Sequence, residues 1–310
     1  MAAIEIDGLT KDYGSVLAND GLELTVEEGE IFGYLGPNGA GKTTTIRMLL
    51  GFIRPTSGTA RVLGRDIRDE RALIEAKRSI GYLSDEPGFD EQATGTEILE
   101  LHAAVKGDTR SEELLELFEP PLDRPIREYS RGNVQKLGLV TTFMHDPDLV
   151  ILDEPTSGLD PLMKQRFAEF LRSERDRGVT IFFSSHILSE VRRLCDRVGI
   201  IRQGRLVTVE PIETLLMKSG KTVRLSSRTP IPEELLAIDG ISDLETSSAG
   251  SEESGGAGAD GGFTECAFTF TGDINELLRK LPEQELLDCS IEEAPLEDVF
   301  MQFYGGESDV

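Results

Sequence analysis

Apolar and polar residues alternate along Ile4 to Leu9 and again along Leu22 to Val26, the two-residue period of a strand with one buried face. A Tyr13-Gly14 turn lies near the first run and Glu28-Gly29 follows the second, so together they predict an antiparallel pair at the edge of a larger core. Ile31 to Leu35 is apolar without alternation, as is Leu149 to Leu152, and Val179 to Ser184 and Val198 to Ile201 read as further strands. Helical patterns separate these runs as far as about Glu210, which predicts a mainly parallel sheet with both faces covered. From Ala72 to Asp146 the spacing is largely helical, with Glu97 to Val105 and Glu112 to Phe118 as the clearest segments. It predicts a helical subdomain, about residues 85–146, inserted between the first core strand and the next.

Beyond Pro211 the pattern changes. A short amphipathic helix leads to strand candidates at Thr222 to Ser226, Ile241 to Thr246 and Phe263 to Thr271. The last two flank SSAGSEESGGAGADGG, Ser247 to Gly262, whose composition cannot bury a core and predicts a flexible loop, with an interaction tail as the other reading. The expected organisation is a large unit over residues 1–215 and a small α+β accessory domain over 216–310. In the closing PLEDVFMQFYGG, Leu296, Val299 and Phe300 fall on one face of a helical turn.

The candidate chemistry starts where the strand Ile31 to Leu35 runs into GPNGAGKTT. Gly36, Pro37, Asn38, Gly39, Ala40 and Gly41 form a loop whose glycines let backbone N–H groups turn inward around phosphate oxygens. Lys42 then reaches the β- and γ-phosphates, the Thr43 hydroxyl is placed for Mg²⁺, and a helix from Thr44 points its positive end at the anion. A second element, LVILDEP, delivers Asp153 and Glu154 to the C-terminal end of a buried strand, where ligands of α/β sheets sit. Asp153 suits the metal, and Glu154 suits the proton of the water that attacks a γ-phosphate.

Charge narrows the partners. The 310 residues carry 32 Lys and Arg against 57 Asp and Glu, a net charge of −25, which disfavours nonspecific nucleic-acid or anionic-lipid binding. The acids are spread along the chain, as in proteins of salt-accumulating organisms, with a merely acidic cytosolic protein as the other reading. Cys195, Cys266 and Cys289 have neither metal-ligand spacing nor an even count, which fits a reducing cytoplasm. No apolar stretch approaches the ~20 residues needed to cross a bilayer, so the expectation is a chain that is soluble in isolation and reaches a membrane through a partner.

Over about residues 4 to 210 the chain resembles the nucleotide-binding subunit of ATP-binding cassette (ABC) transporters, with seven motifs in family order. Tyr13 falls where that family stacks a ring on adenine, and packing at a strand edge is the alternative reading of this residue. Gly36 to Thr43 match the phosphate loop. YSRGN, with Ser130, Arg131, Gly132 and Asn133, lies at the Leu-Ser-Gly-Gly-Gln signature, and Asp153 and Glu154 end the Walker B strand. Ser157 to Asp160 match the D-loop and His186 the switch histidine. Two departures stand out: Arg131 and Asn133 replace a glycine and a glutamine of the signature, and Asp85 occupies or adjoins the place of another glutamine. Asp85 is either a ligand of Mg²⁺ through water or an exposed turn acid.

The resemblance implies an α/β fold, a P-loop NTPase core with an antiparallel β subdomain and the helical insertion. It also implies ATP and Mg²⁺ as ligands, and a head-to-tail homodimer in which Ser130, Gly132 and Asn133 reach the partner's ATP. A separate integral-membrane permease would hold the chain at the cytoplasmic face of the membrane. The C-terminal PLEDVF segment resembles the tail of ATPases serving ABC-2 type exporters. Other classes remain: a soluble cassette acting on nucleic acid or ribosomes, and a subunit that binds nucleotide without hydrolysing it.

Overall fold

In the computed structural model the strand β3 (Ile31–Leu35) is buried at all five positions, the environment of a parallel strand covered on both faces. The structure describes residues 1–228, 238–249, 263–280 and 285–293. β3 lies between β8 (Thr180–Ser185) and β9 (Arg197–Arg202). Beyond β8 come β7 (Leu149–Asp153) and β6 (Ile80–Leu83), and beyond β9 comes β10 (Arg205–Pro211). All neighbours in this sheet are parallel except β10 on β9. Register sets Leu35 opposite Ser185 and Asp153 opposite Ser184, so the ends of β3, β7 and β8 open side by side.

The alternating strands β1 (Ala2–Asp12) and β2 (Leu17–Glu27) are antiparallel as expected. They do not edge the core sheet. With β4 (Ser57–Val62) and β5 (Arg65–Asp66) they form a separate sheet of order β2-β1-β4-β5. Its buried face, including Ile4, Leu22 and Val62, shares one core with Phe32, Tyr34 and the residues Ile46 and Leu49 of α1 (Lys42–Leu49). Burial of such aliphatic side chains contributes roughly 1.5–3 kcal/mol each.

The helical pattern from Ala72 is broken by a core strand. α2 (Glu70–Lys77) is followed by β6, and only then come α3 (Gly95–Lys106), α4 (Ser111–Phe118) and α5 (Arg131–Phe143). The sequence hid β6 because it has four residues, one of them a glycine, too few for a period to show. That glycine has a packing reason, since a Cβ at Gly81 would stand 2.4 Å from the Thr142 carbonyl oxygen of α5. Helix α5 therefore lies directly on the strand.

One buried ion cluster ties α4 to the core. Arg110, ahead of α4, makes a two-pronged contact with Glu174 of α6 (Pro161–Asp176) at 2.6 and 2.8 Å. Glu174 is 1% exposed, and Arg177 meets it at 3.2 Å while Asp146 and Glu113 flank Arg110 at 3.3 and 2.9 Å. The hydrogen-bonded carboxylate pair holds the Arg110 guanidinium well above its ordinary pKa, against the cost of burial.

By contacts the chain divides into two compact units, Met1–Ile212 and Glu213–Val310. After α8 (Ile212–Ser219), the second holds β11 (Lys221–Ser227), β12 (Ile241–Ala249), β13 (Phe263–Phe270), α9 (Ile274–Lys280) and β14 (Leu286–Glu293). Its sheet is antiparallel in the order β12-β13-β11-β14, over a core of Val223, Leu225, Phe268, Phe270 and Leu277. The tract expected to be a loop begins as strand, because Ser247 and Ser248 pair with Glu265 and Thr264. Residues 250–262 and the segment containing Leu296, Val299 and Phe300 lie outside the described residues.

Candidate active site

The loop after β3 is held from beneath. Gly41, at φ 107°, adopts a backbone conformation that side chains rarely take, and a Cβ there would stand 2.5 Å from the Ala18 carbonyl. Asn19, fully buried in β2, donates to the Gly41 carbonyl at 3.3 Å and to the Thr45 hydroxyl at 3.1 Å. The Tyr34 hydroxyl meets the same Thr45 oxygen at 3.1 Å, and burial pushes that phenol far up in pKa, so it stays neutral. The helix start that carries Lys42 and Thr43 is thereby fixed to both sheets.

Lys42 Nζ donates to the Gly36 carbonyl at 2.6 Å and to Pro37 at 3.3 Å, and stands 3.2 Å from Glu154 Oε1. Asp153, 2% exposed, accepts from the Thr43 hydroxyl at 2.8 Å and from the Ser184 hydroxyl at 2.7 Å. Hydroxyl and carboxylate oxygens in contact at the end of a strand suit a hard cation such as Mg²⁺. Burial, with the Asp153 charge nearby, pushes the Tyr82 phenol up to about 12.

Glu154, the residue after β7, has φ 50°, a left-handed conformation that is sterically unfavourable for a residue with a side chain. Its N–H still reaches the Ser184 carbonyl at 3.2 Å, so the kink turns the side chain without freeing the backbone. Glu154 Oε2 lies 2.8 Å from His186 Nδ1. An ionised carboxylate can only accept, so Nδ1 carries the proton and Nε2 is the ring atom left to face outward. Lys42 and His186 thus grip one carboxylate from two sides.

The residues Ser130 to Asn133 open α5. Ser130 caps the helix by accepting from the Asn133 N–H at 3.3 Å. Gly132 packs on Gly158 so closely that a Cβ would stand 2.6 Å from the Gly158 carbonyl oxygen, and Gln135 donates to the Pro155 carbonyl at 2.9 Å. Asp160 caps α6 through the Met163 N–H at 2.9 Å.

A cleft of about 420 Å³ is lined by the phosphate loop, Lys42, Thr43, Thr44, Asp85 and Glu154. Asp85 also pairs with Arg131 at 2.8 Å. Tyr13 does not line the cleft: it is 54% exposed with Lys11 Nζ 4.9 Å from its ring centroid, and Val16 and Leu17 stand at the rim instead. Ser130, Gly132 and Asn133 are likewise absent from its wall. Sequence reasoning missed Asn19, Ser184 and the rim residues Gln203 and Gly204, none of which belongs to a motif. Register alone could have found Ser184, the partner of Asp153 on the neighbouring strand.

Residues 19–157 match the protein family described as ABC transporter. An uncharacterized ABC transporter ATP-binding protein of Nostoc is 44% identical over 211 residues, 65% of this chain and 62% of its own length. The bacitracin transport ATP-binding protein BcrA of Bacillus licheniformis is 41% identical over 224 residues, 70% of this chain and 72% of its own. A solved ATP-binding subunit of an ABC transporter superposes with a TM-score of 0.64 at 29% identity, covering 70% of this chain and 92% of that one. With the phosphate loop and both carboxylates inside the matched region, this chain belongs to the ABC transporter family, as an ATP-binding subunit that hydrolyses ATP.

Proposed function

We propose that the chain couples hydrolysis of Mg²⁺-bound ATP to export through a separate integral-membrane permease, as a head-to-tail homodimer on the cytoplasmic face of the membrane. The observation that carries the proposal is the Glu154 carboxylate held between Lys42 at 3.2 Å and His186 at 2.8 Å. Glu154 accepts a proton from water as that oxygen bonds to the γ-phosphorus and the bond to the bridging oxygen breaks, releasing ADP and phosphate. Lys42 and the loop N–H groups of Gly36 to Gly41 bind the phosphates, with Thr44 in the first helical turn behind them. His186 directs Nε2 to the γ-phosphate. Thr43 and Asp153 would hold the Mg²⁺, which would supply neutralisation of phosphate charge. Ser130, Arg131, Gly132 and Asn133 serve the nucleotide of the partner subunit, and Asp85 serves as the anchor of Arg131 more readily than as a metal ligand.

Export is supported by the likeness to the bacitracin transport protein and by the ABC-2-like tail. A permease contact is supported on α3, where Leu101 and Val105, one turn apart, are 60% and 75% exposed. Among the described residues no helix is long and apolar enough to cross a membrane. Purification of the chain from its own membranes in high salt is expected to bring down a polytopic protein in near-equal amount. Recovery with ribosomes or DNA instead would favour a soluble cassette.

The net charge of −25 supports a high-salt working medium. Raising KCl from ~0.1 M to ~1 M shortens the screening length from ~10 to ~3 Å and relieves self-repulsion. The melting temperature is expected to rise by several degrees over that range; a flat or falling value removes the halophilic reading.

A further inference from the structure

The geometry points to Glu190 as the positioning residue that holds Glu154 and His186 in register, without touching nucleotide itself. Glu190 lies in the first turn of α7 (Leu188–Leu194), four residues after His186, and no motif includes it. Its carboxylate accepts from the Thr156 hydroxyl, 2.8 Å from each oxygen, from Lys164 Nζ at 2.9 Å and from the Ser185 hydroxyl at 3.2 Å. The Ser185 oxygen in turn accepts from the Ile187 N–H at 3.0 Å. Thr156 and Ser185 are buried, so these bonds form away from competing water.

The placement of the donors gives the cluster its meaning. Thr156 stands two residues beyond Glu154, and Ser185 stands one residue before His186. The strands β7 and β8 pair as far as Asp153 and Ser184, the Glu154 N–H adds one last backbone bond to the Ser184 carbonyl, and beyond it the ladder no longer fixes the separation of the two segments. Glu190 bonds both segments just past that point. Its third partner, Lys164, belongs to α6, the helix capped by Asp160 of the SGLD turn. One side chain therefore links the base-bearing turn, the histidine-bearing strand and the D-loop helix. The 2.8 Å contact between Glu154 and His186 is braced by that link on its far side, as the Asp153–Ser184 side-chain bond braces it on the near side.

This inference rests on the ATPase reading, and its test separates the two. Glu190→Gln keeps the size of the side chain, removes the charge that Lys164 meets and replaces one acceptor by a donor. In the full-length chain, kcat for ATP is expected to fall roughly 10- to 10²-fold with KM within about twofold, since a shift near 1 Å at the reacting groups costs about 10²-fold. The chain has three histidines, so the His186 imidazole can be followed by ¹⁵N NMR. Its Nδ1 signal is expected to lose the shift of a nitrogen bonded to a carboxylate. Thr156→Val, which removes the hydroxyl at constant shape, is expected to act in the same direction and serves if the first variant does not fold. Unchanged kcat and an unchanged His186 signal, beside an active wild type, overturn the role of Glu190 and leave the ATPase reading intact. So does a kcat loss that comes with a matching rise in KM, which marks a general structural defect. A wild type with no hydrolysis overturns the ATPase reading, and the inference with it.

Discussion

Glu154→Gln is expected to lower ATP turnover by about 10²–10⁴-fold, the contribution of a positioned base, while ATP binding persists. The amide keeps the shape of the carboxylate, and its oxygen still accepts the His186 Nδ1 proton, so the site should retain its geometry. What it loses is the ability to take the proton of the attacking water. Binding should, if anything, tighten, because the negative charge 3.2 Å from Lys42 is gone and the cation is left to the phosphates. Phosphate release at saturating ATP, beside calorimetric titration of nucleotide, checks both halves. Near wild-type turnover would remove Glu154 from the role and leave the resemblance without its central residue.

The second large effect concerns stability. Arg110→Met leaves Glu174, 1% exposed, with Arg177 as its remaining cation at 3.2 Å. Breaking one side of a buried ion pair costs about 3–5 kcal/mol, and the retained Arg177 puts the expectation near the lower end. For a unit of this size each kcal/mol moves the melting temperature by about 2–4 °C, so a fall of about 6–12 °C is expected in calorimetry. Replacing Arg110 and Glu174 together by Met and Leu should recover much of the loss, since the uncompensated charge then disappears. A single variant that melts with the wild type would show that water already reaches the cluster.

Much of the first unit was legible because its chemistry is local. Gly36 to Thr43, Asp153 and Glu154 follow apolar runs whose ends place them, and the structure brings Lys42, Thr43, Asp153, Glu154 and His186 to one edge of the sheet. What was illegible is long-range or short. β6 spans four residues, fewer than a period needs, and Glu174 is 64 residues from Arg110. The β1 and β2 pair showed its alternation but not its partners, because β4 and β5 complete a second sheet only in three dimensions. Tyr13 is the residue whose role rests on resemblance and position alone: its ring is exposed and stands off the cleft wall, to which the same hairpin gives Val16 and Leu17. Glu190 was invisible for a different reason, as its partners come from three elements and none of them announces the others.

The contact of Gly132 with Gly158 has a consequence for movement. In the proposed head-to-tail pair, Gly132 belongs to the surface a chain lends to its partner's nucleotide, while Gly158 adjoins the turn that carries its own base. With no side chain between them and no room for one, since a Cβ on Gly132 would stand 2.6 Å from the Gly158 carbonyl oxygen, neither can shift inward without displacing the other. A shift at the start of α5 is then carried, within one chain, to the turn that follows Glu154.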